Sequence, residues 1–145
     1  MIDTAGLIND MVQFSKKNRW SPSEVAQDAT GVLMPFLQKV SGSQGLLALM
    51  PEMALASALA AAFHGDKTHD EAARTFAEVF CNWFQGAKSL VGDQMLNIQP
   101  NQAVLREGLL QLESTGEPDT FVQSFGSLWG DFIRASKDGA GAPLQ

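Results

Sequence analysis

Along this chain apolar residues recur at offsets of three and four, the spacing that lines one face of a helix. No stretch alternates apolar and polar residues in a run rich in Val, Ile and Thr. A first helix is expected over about residues 3–17, capped by Asp3, with Leu7, Ile8, Met11 and Phe14 as its inner stripe. The next start is better marked. Ser21-Pro22-Ser23-Glu24 reads as a capping box with Pro in the first helical position, and Trp20 ahead of it can staple onto Val25. The stripe that follows is Val25, Ala29, Val32, Leu33, Phe36, Leu37 and Val40. Pro35 cannot donate to the carbonyl of Gly31, so either a kinked helix with Pro35 outward or a break near Gly31 is expected.

After a Ser41-Gly42-Ser43 linker, a third, Ala-rich helix is expected over about residues 44–63, divided or restarted at Pro51. Thr68-His69-Asp70-Glu71 is a second capping box, opening a helix with Ala72, Phe76, Val79, Phe80, Trp83, Phe84 and Ala87 on one face and closed by Gly92. Residues 92–99 read as a loop. Pro100 suits the first turn of a fifth helix reaching to about residue 114. Pro118 opens the last helix, with Phe121, Val122, Phe125, Leu128, Trp129, Phe132 and Ile133 inward, and Gly139 ends it. Stripes, caps and prolines agree, which predicts an all-α, single-domain bundle of about six helices over residues 1–138 and a flexible tail over 139–145. Thr75-Phe76 and Thr120-Phe121 each precede a second Phe, Phe80 and Phe125, by the same step. The Trp residues that follow, Trp83 and Trp129, are unequally spaced, and the similarity falls short of a repeat signature.

Composition adds exclusions. A length of 145 residues suits one domain, and 45% apolar residues are enough for a core. A single Cys cannot form an internal disulfide, which points to a reducing cytoplasm, and no signal peptide or membrane span is readable. The net charge of −6 argues against a chain devoted to nucleic-acid phosphates. That charge is uneven. Residues 1–50 are neutral, and the acid lies beyond, so Lys16-Lys17-Asn18-Arg19-Trp20 is the one basic cluster.

Chemistry-bearing patterns are sparse. His64, Asp66 and His69 are suitable metal ligands by type but lack the spacing of a zinc-binding helix; a capped helix start explains them equally. Cys81 lies on the aromatic helix with no basic partner at contact spacing, the pattern of a core thiol. No paired carboxylates, phosphate loop or nucleophile elbow is present, so neither enzymatic activity nor a cofactor is expected.

Three functional readings remain. The leading one is a cytoplasmic, non-enzymatic protein acting by association with a protein partner or itself: a small regulator, adaptor, inhibitor or immunity-type protein of bacterial or phage-like style. Lys16, Lys17, Arg19, Trp20 and the methionines Met34, Met50, Met53 and Met95, near helix breaks or in loops, are its candidate contact residues. The second starts from Ser23 to Val32, which resembles the first helix and turn of a helix-turn-helix DNA reader and implies a DNA contact around residues 16–40. The match spans about twenty residues, has one residue too many before Gly31, and places Pro35, Met34, Phe36 and Leu37 in the recognition helix. The third is a ligand- or metal-binding bundle with a cavity lined by Phe76, Phe80, Trp83, Phe125 and Trp129.

Overall fold

A computed structural model describes residues 1–16, 21–62, 65, 67–112 and 118–145. It contains helices α1 (Thr4–Ser15), α2 (Pro22–Leu37), α3 (Glu52–Ala62), α4 (His69–Phe84), α5 (Gln102–Gln111) and α6 (Pro118–Ala135). Strands β1 (Ser41–Gly42) and β2 (Gly45–Leu46) form one antiparallel hairpin, and β3 (Lys88–Val91) and β4 (Gln94–Asn97) another. The fold is thus mostly helical but not purely α.

The caps form as their chemistry requires. Asp3 accepts from the Gly6 amide at 3.0 Å, Ser21 from Glu24 at 3.2 Å and Thr68 from Glu71 at 3.2 Å. In the first box the Ser21 hydroxyl also donates to the Glu24 carboxylate. Asn101 caps α5 through the Val104 amide, which puts Pro100 just before the cap instead of inside the first turn. The packing of Trp20 on Val25 lies outside the described residues.

Three expectations need correction. Helix α2 continues through Gly31 and Pro35 to Leu37, so the alternative of a break near Gly31 is overturned, while Pro35, in the last turn, does face outward and is exposed. The third helix begins only at Glu52, since residues 41–46 form a hairpin and Ala48 is paired to Lys88. The fourth ends at Phe84, and Gly92 is not its cap. Gly92 (φ +62°) and Asp93 are the two-residue turn between β3 and β4, where glycine takes the positive φ that twist-matched hairpin turns demand.

The helices form a closed ring in which each packs on the next and α6 packs on α1. Short links join α1 to α2, α3 to α4 and α5 to α6, so neighbours run antiparallel and every long connection falls at one end, the hairpin end. The ring is a threefold repeat of short helix, long helix and β segment. The long helices start at Pro22, His69 and Pro118, steps of 47 and 49 residues. Each buries the same set of positions. In α2 these are Ala26, Thr30, Leu33, Met34, Phe36 and Leu37, followed by Val40. In α4 they are Ala73, Ala77, Phe80, Cys81, Trp83 and Phe84, followed by Ala87. In α6 they are Val122, Gly126, Trp129, Gly130, Phe132 and Ile133, followed by Ser136. On the short helices Leu7, Leu55 and Leu105 are likewise buried. The Thr-Phe similarity between residues 75 and 120 is therefore out of register: Phe76 corresponds to Phe125, and Phe80 to Trp129.

The β segments repeat the cycle. The residue at the start of each, Ser41, Lys88 and Lys137, exchanges two backbone hydrogen bonds with another unit: Lys88 with Ala48, Lys137 with Gln99, and Ser41 with Gln145, all at 2.7–2.9 Å. Residues 139–145, expected as a flexible tail, are therefore part of the structure, and Leu144 is buried. At the centre Phe80 and Trp129 meet edge to face at 4.8 Å, and Phe132 packs on both. The Trp129 indole N–H is buried with no acceptor among the described residues.

Closure of the ring uses glycine. A side chain at Gly126 would collide with Ile8 of α1, and one at Gly130 would meet Thr4 at 2.8 Å. Gly31 on α2, by contrast, faces open space, with no heavy atom within 4 Å of where a Cβ would stand. Gly126→Val should therefore cost about 1–3 kcal/mol through overpacking, while Gly31→Ala should gain about 0.5–1 kcal/mol of helix stability. Chemical denaturation of the two variants checks the contrast, and a stabilised Gly126→Val would contradict this packing.

Candidate interaction surface at the hairpin end

The hairpins are held by a buried polar hub. Asp138, at 0% exposure, accepts from the backbone amides of Ser43 at 2.9 Å, Ala140 at 2.8 Å and Ala142 at 3.0 Å. Burial pushes its carboxyl up, but the Ser43 hydroxyl and the three amides outweigh that and hold it below its usual 3.8. Ser89 on β3 accepts from the Gly139 amide at 3.0 Å. Ser136, just after α6, accepts from Asn101 at 3.0 Å and donates to the Phe132 carbonyl. The tips of the hairpins also meet, with the Gln44 side chain accepting from the Gly92 amide. The N-terminus is fastened to the same end: the Met1 ammonium donates to the Lys39 carbonyl, and Lys39 pairs with Asp3 at 2.6 Å.

This rigid support presents apolar side chains to solvent. In the β3–β4 ladder Leu90 faces Met95, and Ser89 faces Leu96. The register puts the first pair on one face and the second on the other. Ser89 is buried against the tail, so Leu90 and Met95 look outward, and both are exposed. Leu46 on β2, Met50 before α3, Met53 in its first turn, Leu96 and Met1 are exposed as well. These seven are the exposed large apolar residues among the described residues, and all of them belong to the hairpin end. All four residues of β4 are exposed; just beyond it Gln99 pairs with Lys137, and Gly139 of the same C-terminal segment lies against Leu96 and Asn97, so only around Gln94 and Met95 does no described residue pair with its outer side.

The residues expected to contact a partner divide accordingly. Met50, Met53 and Met95 are on this surface. Met34 is not: at 7% exposure it sits in the core, in the position that Cys81 and Gly130 occupy in the other repeats. Lys16 is exposed at the far end, as the C-cap of α1, and Lys17, Arg19 and Trp20 lie outside the described residues. Leu46, Leu90 and Leu96 are exposed apolar residues of this end that the helical reading misses. A Gly-Asp pair flanked by Leu90-Val91 and Met95-Leu96 is the hairpin signal that could have found the last two.

The other candidates are placed as follows. Met34, Phe36 and Leu37, assigned to a DNA-reading helix by the helix-turn-helix resemblance, point into the core and leave no such face there. His64 and Asp66 lie outside the described residues; His69 makes a 3.0 Å hydrogen bond with the Leu110 carbonyl of α5. No group of three or more His, Cys, Asp or Glu among the described residues is arranged to hold a metal ion. Of the five aromatic residues expected around a cavity, Phe80, Trp83 and Trp129 are core, while Phe76 and Phe125 are half-buried. No described helix is long and apolar enough to cross a membrane. Comparison with protein-family models, curated proteins and solved structures finds no match to this chain.

Two measurements test the geometry. Replacing Asp138 by Asn sets an amide group against three N–H donors and should cost about 1–3 kcal/mol. Because the folded carboxyl titrates below its ordinary value, its contribution is complete above about pH 4 and lost as pH falls through the folded value. Wild-type stability should therefore drop below about pH 4 more steeply than that of Asp138→Asn; parallel acid profiles would count against the hub. Burial pushes the Cys81 thiol up to about 12, so a thiol reagent at neutral pH should label it only as fast as the chain unfolds. Rapid labelling of the native protein would show that α4 is not buried as described.

Proposed function

We propose that this protein is a non-enzymatic binding module that engages another protein chain through its hairpin end. One observation carries the reading: among the described residues, the seven exposed large apolar side chains are all at that end of the ring. Scattered single apolar residues on a surface need no explanation, but their concentration at one end of a molecule marks a candidate interaction site. The tip of the longer hairpin, around Gln94, adds backbone donors and acceptors to which a partner segment can hydrogen-bond, while Leu90 and Met95 offer side-chain contacts beside it. Methionine and leucine on short hairpins suit a partner surface that is apolar and not sharply shaped. A role as a small cytoplasmic regulator, adaptor or inhibitor fits this arrangement.

The test pairs binding with a surface variant. The purified full chain, used as bait in extract from its source, should retain one stoichiometric protein. Leu90→Asp with Met95→Asp should lower that affinity by about tenfold or more, with unchanged circular dichroism. Light scattering of the wild type distinguishes a foreign partner from a second copy. A monomer that retains no protein, or equal binding by the double variant, would overturn the reading.

A further inference from the structure

The two hairpins lie side by side, and their registers set three exposed apolar side chains in one row. The bridge between Ala48 and Lys88 is antiparallel. Followed toward the hairpin tips, that register brings Leu46 beside Leu90 and Gln44 beside Gly92, and the Gln44 side chain does accept from the Gly92 amide. Leu90 is in turn paired with Met95 across the β3–β4 ladder. Directly opposed residues of a sheet share a face. Leu90 faces outward, because its neighbour Ser89 is buried. Leu46 faces outward as well. Its partner Ser41 is followed by Gly42, where a Cβ would meet Ser89 at 3.1 Å and Asp138 at 3.3 Å on the inner side. Leu46, Leu90 and Met95 thus form a row across three strands, and all three are exposed.

Charge stands on both sides of this row. Lys88 begins β3, two residues before Leu90, and Asp93 lies in the turn, two residues before Met95. Each is therefore about 7 Å from the row along the strands, in opposite directions. Both are exposed, and neither side chain has an ion-pair partner among the described residues. A face with a cation on one side of an apolar row and an anion equally far on the other complements itself when turned over about that row. We propose that the hairpin end binds a second copy of this chain through this face, with the two-fold axis along the row of Leu46, Leu90 and Met95. The proposal rests on the hairpin-end reading above and names its partner. Each apolar row packs on its copy, and Lys88 of each protomer meets Asp93 of the other. A two-fold axis along the strands would instead set lysine against lysine and aspartate against aspartate, so charge selects the first arrangement. The net charge of −6 opposes contact between two copies elsewhere, whereas on this face Lys88 and Asp93 balance.

Sedimentation of the full chain over a range of concentrations tests this. It should show a reversible monomer–dimer equilibrium, and Leu90→Asp should weaken it by about tenfold or more. Lys88→Asp and Asp93→Lys should each weaken it by about fivefold or more, because like charges then face each other at both places. An equimolar mixture of those two variants should recover association, since opposite charges face again. Circular dichroism checks that each variant folds; should Leu90→Asp fail to fold, Leu46→Asp reads the same row. A dimer that tolerates all of these changes would overturn the proposal. So would a chain that stays monomeric at every concentration. If that monomer still retains a foreign protein through Leu90 and Met95, the hairpin-end reading stands and only the second copy falls; if it retains none, both fall.

Discussion

The geometry depends on bringing the last helix against the first. In a ring of six helices the first five contacts follow from chain connectivity, since each helix packs on the next. The sixth, between α6 and α1, joins elements more than a hundred residues apart and has no short link to enforce it. The small faces of Gly126 and Gly130 let Ile8 and Thr4 of α1 approach the α6 backbone closely. The pairing of Gln145 with Ser41 then closes the β layer over the same seam. Both closures act at the join between first and third repeats, and the hairpin surface rests on them.

Threefold repetition organises the core without sequence identity. Leu33, Phe80 and Trp129 share one position, as do Met34, Cys81 and Gly130. These residues differ widely in volume. A bulky side chain in one unit is offset by a smaller one in another, which keeps the shared centre filled at interior density. Ala29 stands where the other repeats have Phe76 and Phe125, and Phe14 of α1 lies beside it. The β end departs from the symmetry in a different way: the hairpins are of unequal length, and the longer one carries the exposed Leu90 and Met95.

Polar groups divide the molecule into two ends of different character. At the hairpin end Asp138, Ser89 and Ser136 tie short irregular segments to the helices, because such segments cannot satisfy their own amides. Stability there rests on directed hydrogen bonds, which leaves apolar side chains free to face solvent. Elsewhere the helices satisfy their own backbones, and their apolar stripes are consumed by packing inside the ring.

The sequence by itself determined the six helices and three of their caps, since helical periodicity and Ser, Thr and Asp capping act over three or four neighbouring residues. It also placed Cys81 in the core, from its position on an amphipathic face. The hairpins were hidden because Leu90 and Val91 extend the helical stripe of α4, and only pairing with residues 94–97 makes a strand of them. The exposure of Met50, Met53 and Met95 and the burial of Met34 were undecidable from spacing: Met suits core and surface alike, and which it meets depends on neighbouring helices. The repeat was masked because the eye follows aromatic identity, whereas the ring preserves burial. Only the tertiary structure shows which positions share a layer around one axis, because that sharing is a relation between helices 47 and 49 residues apart.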